Sequence, residues 1–492
     1  MTETAKKKRG MPSSFTILLA LLAIVAVVTV IVSGTSGGAV TAARLSDFCT
    51  APIKGFADAL PVCLFVMILG GFLGMMTETG ALDNGIAVLV QKLKGNEIML
   101  IPVLMLIFSL GGTTYGMCEE TVPFYALLAA TMMAAGFDPM VGAATVLLGA
   151  GCGCLGSTVN PFAVGAAVDA LTGVDIAVNQ SIIIGLGAVL WIVTTVMSIV
   201  FVMSYAKKVK ADKGSTILSM QELKDAEEAH GKAASEVNKE VKLTGRQKGV
   251  LIAFAFTFVV MIVGFIPLAD LNEGVANFFD AGAVYDADGN AVVQGWSALI
   301  TGLPIGQWYF DEASTWFFLM AVLIGIIGGL SEKQIVNTFI TGAADMMSVV
   351  LVIALARGIS VLMANTGLDV YVLDAAANAL AGLSGVIFAP MSFLVYFGLS
   401  FLIPSTSGMA TVSMPIMGPL AVKLGFSPEV MVMIFSAAIG VVNLFTPTSG
   451  AIMGGLALAK IEWTTWLKFA LKLIVALSVV CAIILTVACV LI

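Results

Sequence analysis

The feature of this sequence that most limits its fold is the recurrence of long apolar runs without charged residues, from Phe15 to Ile492. A helix of about 20 apolar residues crosses the roughly 30 Å hydrocarbon core of a bilayer. Hydrophobic residues make up 59% of the 492 residues and charged residues only 11%, against about a quarter in a soluble domain. The sequence therefore predicts an all-α polytopic membrane protein.

The composition weakens several other classes of function. The single histidine, His230, lies in a polar stretch, which argues against haem ligation, a histidine metal centre and Ser-His-Asp catalysis. The seven cysteines lack metal-binding spacing. Cys152 and Cys154 lie in an apolar glycine-rich run, where a packed, reduced pair is expected. A net charge of −7, with basic residues confined to loops, argues against nucleic acid as a partner. The class of function that remains is transport of a small molecule across the lipid bilayer.

Charged segments predict the orientation of the chain. Four basic residues at 6–9 precede the apolar run Phe15–Val32, whose 18 residues exceed the roughly 7–15 of a signal-peptide core, so we expect a retained helix that starts in the cytoplasm. The segment 206–248 contains ten Lys or Arg and is therefore expected to be cytoplasmic. The segment 268–312 has seven acidic residues and no Lys or Arg, as in an outer loop.

Two apolar segments, 98–135 and 386–422, are too long and too interrupted by Gly, Pro, Ser and Thr to form one membrane helix each. If each segment is a re-entrant helical hairpin that enters and leaves by the same face, the basic segments 6–9 and 206–248 lie on the same side of the membrane. The non-helical backbone of such a hairpin is tolerated at membrane depth where it is buried in protein or lines a wet cavity. The other spans are predicted near 15–33, 56–77, 140–172, 181–205, 248–267, 313–330, 341–364, 428–460 and 464–491.

The two halves of the chain are related by an internal repeat. The motif Gly55–Asp58 matches Gly342–Asp345 at an offset of 287, and Gly136–Pro139 resembles Gly425–Pro428 at an offset of 289. An odd number of predicted crossings separates the two repeats, so they are inverted. Inverted repeats with broken helices are typical of secondary transporters, whose binding site lies between the repeats near the bilayer midplane.

This repeat predicts five parts. They are residues 1–54 with the first helix and an outer loop, a first repeat 55–205 with hairpin 98–135 and broken helix 140–172, a cytoplasmic linker 206–248, scaffold helices and the acidic outer loop 249–340, and a second repeat 341–492 with hairpin 386–422 and broken helix 428–460.

The hairpin turns and the helix breaks are rich in Gly, Ser and Thr. The hairpins are predicted to turn at Gly111–Gly116 and Pro404–Gly408, and the helices to break at Ser157–Pro161 and Thr446–Ser449. Half-helix N-termini suit a substrate carboxylate, and half-helix C-termini with unwound carbonyls suit sodium. Small polar clusters also pack membrane helices, but four clusters at matching places favour a site.

Substrate-binding residues are therefore expected at these four places and among the ionisable or amide side chains near them. They are Gly112, Thr113, Thr114, Glu119, Glu120, Ser157, Thr158, Asn160, Arg357, Ser405, Thr406, Ser407, Asn443, Thr446, Thr448 and Ser449. A coupling sodium ion would lie near Thr113, Asn160, Thr406 and Thr446, with a proton or a counter-substrate as alternatives.

Ionisable residues at membrane depth cost at least about 2.5–3.5 kcal/mol on insertion scales and are usually functional. Glu119 and Glu120 follow the first hairpin turn. Either one of them binds a cationic group or a proton, or both stabilise the N-terminus of the return helix. Arg357 either grips a carboxylate or neutralises an acid such as Glu119. Asp58 and Asp345 are expected to be helix caps at the membrane interface.

The residues at these places resemble a known family. The run Gly111–Thr121, the break Gly156–Phe162 and the tip Ile403–Gly408 resemble the YfcC branch of the anaerobic four-carbon dicarboxylate carrier family, within the ion transporter superfamily, and the resemblance covers about 12–466. It implies a scaffold domain, a transport domain with two re-entrant hairpins, a homodimer, an elevator movement and the inner membrane of a bacterium.

The resemblance leaves two classes of substrate. The family name implies succinate or fumarate, whereas the YfcC branch is linked to arginine/ornithine exchange. Since two predicted buried acids outnumber one arginine, we favour basic amino acids, with dicarboxylates as the alternative. An intramembrane enzyme using Glu119 and Glu120 is disfavoured, because adjacent helical residues point about 100° apart. A channel is disfavoured because the hairpins are predicted to occlude the site.

Overall fold

The computed structural model describes residues 14–82, 84–85, 88, 96–237, 242–266, 268–271, 273–285, 291–403 and 405–492. These residues are almost all helical, apart from one short antiparallel pair of strands, β1 (Val284–Tyr285) and β2 (Ala291–Val293). Eight of the described helices are long and apolar enough to cross a membrane. The prediction of an all-α polytopic membrane protein is confirmed.

The chain before the linker contains α1 to α8. Their bounds are α1 Ser14–Ser33, α2 Leu45–Asp58, α3 Leu60–Glu78, α4 Leu100–Tyr115, α5 Val122–Ala134, α6 Pro139–Leu155, α7 Ala166–Thr172 and α8 Gln180–Ala211. Short 3₁₀ turns lie at Glu97–Met99 and Glu119–Thr121, and a single π-helical turn lies at Pro161–Gly165. The linker then contains the turn Lys213–Ser215 and α9 (Met220–Val237).

The rest of the chain contains α10 to α21. Their bounds are α10 Gly245–Phe265, α11 Leu268–Leu271, α12 Glu273–Phe279, α13 Phe310–Gly328, α14 Glu332–Asp345, α15 Met347–Thr366, α16 Leu368–Leu380, α17 Gly385–Leu402, α18 Thr406–Lys423, α19 Pro428–Val442, α20 Gly450–Leu458 and α21 Trp463–Leu491. The predicted hairpins are α4–α5 and α17–α18, and the predicted broken helices are α6–α7 and α19–α20.

Close glycine contacts relate the two repeats by approximate two-fold symmetry. The Cys63 thiol donates at 3.9 Å to the carbonyl of Val350, which lies 287 positions later, so a residue meets its own repeat counterpart. On either side, a Cβ added at Gly55 would overlap the backbone of Gly358, and one added at Gly342 would overlap the backbone of Gly70. The helices α2 and α15, and α3 and α14, therefore cross at glycine in both repeats.

The broken helices cross with the same symmetry. A side chain added at Gly151 of α6 would overlap Leu444, and one added at Gly440 of α19 would overlap Leu155. The two residue pairs are exchanged by the offset of 289 found in the sequence. Because small residues let membrane helices approach closely, both broken helices meet at the centre of the protein.

The helices form two groups. The first helix group consists of α1, α2, α3, α13, α14 and α15, with α10 packed on α13. The second helix group consists of the two hairpins α4–α5 and α17–α18, packed on the broken helices, together with α8 and α21. The groups meet where α15 packs against α20 and where α3 contacts α5.

The linker helix α9 docks on the second helix group. It packs along α5, and its Glu222 carboxylate accepts a 2.9 Å hydrogen bond from the backbone N–H of Glu462. The Nε2 atom of His230 donates at 3.0 Å to the carbonyl of Leu458, at the end of α20. Just before α9, the Thr216 hydroxyl donates to Asp138, the N-cap of α6. The linker therefore holds the ends of helices whose other ends approach the helix breaks.

Replacing Gly55 with alanine should destabilise the protein, because the new Cβ would meet the Ala354 carbonyl and the Gly358 backbone. Overpacking of this kind costs roughly 1–3 kcal/mol, so the melting temperature in detergent should fall. Gly185→Ala in α8 is the matched control, because nothing lies within 4 Å of its added Cβ. An equal fall in both variants would contradict the glycine crossing.

Docking of α9 should weaken in acid. Burial lowers the pKa of His230 below its ordinary value, and Lys460 lowers it further. Neutral His230 therefore contributes fully to the docking of α9 above about pH 6.5, the ordinary histidine pKa. This contribution is lost as the pH falls towards the lowered pKa of docked His230. Hydrogen exchange of the α9 amides, corrected for intrinsic rates, should accelerate on acidification, and His230→Gln should remove that pH dependence. Equal pH dependence in wild type and variant would contradict the assignment.

Candidate functional site

A pocket of about 290 Å³ lies between the two helix groups. The first group contributes residues from the C-terminal end of α2, the N-terminal ends of α3 and α13 and the middle of α15. The second group contributes residues from both hairpin turns and both helix breaks. The polar residues that line the pocket are Asp58, Cys118, Glu120, Thr121, Tyr125, Cys154, Asn160, Arg357, Ser405, Thr406, Ser407, Asn443, Thr448 and Ser449. The volume is at the lower end of the range for small-molecule sites.

The first hairpin turn is bound to the first helix break. The Thr113 hydroxyl donates to the Gly156 carbonyl at 2.6 Å, which satisfies a carbonyl left free where α6 ends. In return, the Thr113 carbonyl accepts from the backbone N–H of Thr158 at 2.9 Å and from the Thr158 hydroxyl at 3.0 Å. These bonds lock the turn and the break together, as buried backbone groups require.

The predicted turn at Gly111–Gly116 is displaced. Residues up to Tyr115 belong to α4, and the chain turns at Gly116, where φ is +80°. Gly112 packs against α6, because a Cβ there would overlap the Ala150 carbonyl, and the Thr114 hydroxyl donates at 2.7 Å to Leu110 of its own helix. Both residues are expected at the site from the sequence, but Gly112 lies at the crossing of α4 with α6, and the Thr114 hydroxyl bonds within α4. A sequence rich in glycine does not distinguish a turn from a close helix crossing.

Asn160 connects the first break to the pocket. Its Oδ1 atom accepts from the backbone N–H of Phe162 at 2.9 Å, and its Nδ2 atom donates to the Ser157 hydroxyl at 2.9 Å. Gly116 lies directly against this amide, so any side chain at Gly116 would displace it. Asn160 therefore caps the second half of the broken helix while facing the pocket.

The second hairpin turn is held less firmly. Ser405 is the N-cap of α18 and accepts from the Gly408 N–H at 3.2 Å. At the second break, the Thr446 and Thr448 hydroxyls are 2.7 Å apart. Among the described residues, with Pro404 outside them, this turn makes no hydrogen bond to that break. The two repeats therefore differ in how tightly the turn is bound.

One buried acceptor at the second break lacks a partner. The Oδ1 atom of Asn443 is buried and has no hydrogen-bond partner within the described part of the chain. Asn443 lies at the C-terminal end of α19 and lines the pocket. Because an unsatisfied buried acceptor costs about 1–3 kcal/mol, this atom is suited to receive an N–H donor from a bound molecule.

Three ionisable side chains with opposite charges line the pocket. Glu120 is buried, and its Oε2 atom accepts from the Cys118 N–H at 3.0 Å. The Nε atom of Arg357 donates to Oδ2 of Asp58 at 2.9 Å. Asp58 is expected from the sequence to be a helix cap, but its carboxylate instead pairs with Arg357 and lines the pocket where α2 gives way to α3. The acidic partner of Arg357 is Asp58; the side chain of Glu119 lies outside the described residues.

Nine of the sixteen predicted residues line the pocket: Glu120, Asn160, Arg357, Ser405, Thr406, Ser407, Asn443, Thr448 and Ser449. Thr113, Ser157, Thr158 and Thr446 instead hold the turns and breaks through their hydrogen bonds. Sequence reasoning missed Asp58, Cys118, Thr121, Tyr125 and Cys154. The pairing of Gly55–Asp58 with its repeat was the signal that could have directed attention to Asp58.

The structure brings no group of three His, Cys, Asp or Glu side chains together among the residues it describes. Of the residues expected near sodium, Asn160 and Thr406 line the pocket, whereas Thr113 and Thr446 lie outside its lining. The Thr113 hydroxyl donates to Gly156, and the Thr446 hydroxyl lies against Thr448.

Comparison with known proteins identifies the family. A family model described as the C4-dicarboxylate anaerobic carrier, DcuC, matches residues 39–490. The chain belongs to this family. The family resemblance noted in the motifs is thus confirmed, and the chain is a multi-pass membrane transporter rather than an enzyme.

Two relatives match most of this chain. An uncharacterized protein of Haemophilus influenzae is 29% identical over 445 residues, covering 90% of this chain and 78% of the relative. YfcC of Escherichia coli, which carries a provisional name as a basic amino acid antiporter, is 27% identical over 424 residues, covering 84% and 74%. The similarity to both relatives therefore extends over most of this C4-dicarboxylate carrier family member.

Two solved transporter structures show distant similarity. MtrF of Neisseria gonorrhoeae, described among antimetabolite efflux pumps, gives a TM-score of 0.45 at 17% identity, covering 98% of this chain and 96% of MtrF. The YdaH transporter of Alcanivorax borkumensis gives 0.46 at 15% identity, covering 97% and 98%. Both TM-scores lie below 0.5, too low for structural inference.

Thr113→Val should separate the first hairpin turn from the first break. The change keeps the shape of the side chain but leaves the Gly156 carbonyl without its hydroxyl donor, which costs roughly 1–3 kcal/mol. We expect a lower melting temperature and weaker ligand stabilisation in a thermal-shift titration. Thr114→Val is the matched control, because its hydroxyl bonds only within its own helix. Equal effects of the two changes would contradict the proposed bond between turn and break.

Proposed function

We propose that this transporter is a secondary carrier of amino acids with a cationic side chain, such as arginine and ornithine, working by exchange. The observation that supports the proposal is the charge balance of the pocket, where the carboxylates of Asp58 and Glu120 outnumber the guanidinium of Arg357. A ligand with one carboxylate and two cationic groups complements this balance. The provisional name of the YfcC relative points to the same class of substrate.

The two ends of such a substrate would meet different walls. Its carboxylate would lie near Arg357 and near the N-termini of α18 and α20, because helix N-termini and guanidinium groups both favour anions. Its cationic side chain would lie near Glu120. Its ammonium group would donate to the unpartnered Oδ1 atom of Asn443.

The arrangement of helices suggests how the carrier moves. We propose an elevator movement in which the second helix group carries the pocket past the first group within a homodimer in the bacterial inner membrane, with the linker on the cytoplasmic side. Because the second hairpin turn makes no hydrogen bond to the second break in the described residues, α17–α18 is the hairpin that would open to admit substrate. Coupling to sodium or protons is the alternative to exchange.

The alternative substrate is a four-carbon dicarboxylate. The family description favours this substrate. Arg357 and the two helix N-termini also favour it, because together they could bind its two carboxylates. The carboxylates of Asp58 and Glu120 disfavour a dicarboxylate, because two negative charges in a pocket of this size would repel a dianion.

Glu120→Gln should weaken binding of cationic amino acids while preserving the fold. Glutamine keeps an oxygen that can accept from Cys118 but removes the charge. Because hydrogen bonds to charged groups contribute about 1.5–3 kcal/mol, the Kd for arginine should rise at least about tenfold, measured by isothermal titration calorimetry in detergent.

Glu228→Gln is the control, because Glu228 is exposed on α9 and lies away from the pocket lining. It should bind arginine like wild type. Unchanged arginine affinity in Glu120→Gln, or tighter binding of succinate than arginine by wild type, would contradict the cationic substrate.

A further inference from the structure

The Asp58–Arg357 pair exists in only one of the two repeats. Asp58 is the last residue of α2, and its repeat counterpart Asp345 is the last residue of α14. Arg357, however, corresponds to Gly70 in the first repeat. The two helix ends are therefore built alike, but only Asp58 has an arginine partner and lines the pocket.

The ion pair leaves most of the guanidinium available. A guanidinium carries five N–H donors, and the bond to Asp58 uses Nε, at 2.9 Å. In the described part of the chain no other hydrogen bond is formed by the Arg357 side chain. The side chains of Arg357 and Asp58 are 25% and 52% exposed, so both charges act on the contents of the pocket.

We propose that Asp58 is a specificity-determining residue that sets the net charge of the substrate the carrier accepts. With Asp58 ionised, Arg357 is neutralised and Glu120 leaves the pocket with one net negative charge. Without the Asp58 charge, Arg357 and Glu120 cancel, and the preference for cationic ligands is lost. This proposal rests on the proposed substrate site and adds the residue that determines its charge selectivity.

The test compares Asp58→Asn with Asp345→Asn, which removes the repeat-equivalent aspartate that lies outside the pocket lining. The probes are doubly cationic agmatine, singly cationic arginine, zwitterionic citrulline and dianionic succinate, with Kd values from isothermal titration calorimetry. In Asp58→Asn, agmatine should weaken most, arginine less and citrulline least, while succinate binds more tightly. Each unit of ligand charge should change Kd roughly three- to tenfold, as expected for charges several ångströms apart in a partly solvated site.

Asp345→Asn should keep the wild-type ranking, and Asp58→Glu should restore it, because glutamate returns the charge. A loss of all ligands in Asp58→Asn, with Asp58→Glu failing to recover them, would overturn the proposal in favour of a purely structural role. Equal rankings in Asp58→Asn and Asp345→Asn would also overturn it. If the wild-type protein binds none of the four probes, the proposed function itself is wrong, and the proposal falls with it.

Discussion

Backbone polar groups at the two helix breaks are the constraint on which the rest of this structure depends. In a bilayer each unpaired N–H or C=O group costs several kcal/mol unless protein or water satisfies it. At the first break, the Thr113 hydroxyl of the first hairpin donates to the Gly156 carbonyl, and Thr158 of the break donates in return to the Thr113 carbonyl. At the second break, the indole N–H groups of Trp463 and Trp466 in α21 donate to the carbonyls of Phe445 and Leu444. The hairpin turns and the breaks together line a polar pocket inside an apolar protein.

The same constraint explains the glycine content. The breaks can be covered only if hairpins, broken helices and the first helix group approach closely, and glycine permits this at Gly55, Gly342, Gly151 and Gly440. Since these contacts are exchanged by the repeat, a single packing solution serves both halves. The few charges that enter this close-packed interior then dominate the electrostatics of the pocket, and here they are two acids and one arginine.

Much of this organisation was predictable from sequence, and the failures have physical causes. Apolar length and the repeat predicted both hairpins and both breaks. The helices α2 and α14 were missed as separate elements, because polar residues such as Lys54 interrupt their hydrophobic pattern. The pairing of Asp58 with Arg357 was missed, because these residues lie about 300 positions apart in sequence and only the tertiary fold brings them together. Likewise, hydrogen bonding that commits Thr113 and Thr114 to different partners depends on the tertiary fold.

The central claim, exchange of cationic amino acids through this pocket, is tested most directly by counterflow in proteoliposomes. Vesicles containing the purified protein are loaded with ornithine, succinate or buffer, and uptake of labelled arginine is followed. The account predicts saturable arginine uptake that ornithine inside the vesicles accelerates and succinate does not. Arginine uptake at the rate of protein-free vesicles, together with succinate–succinate exchange by the same protein, would contradict it.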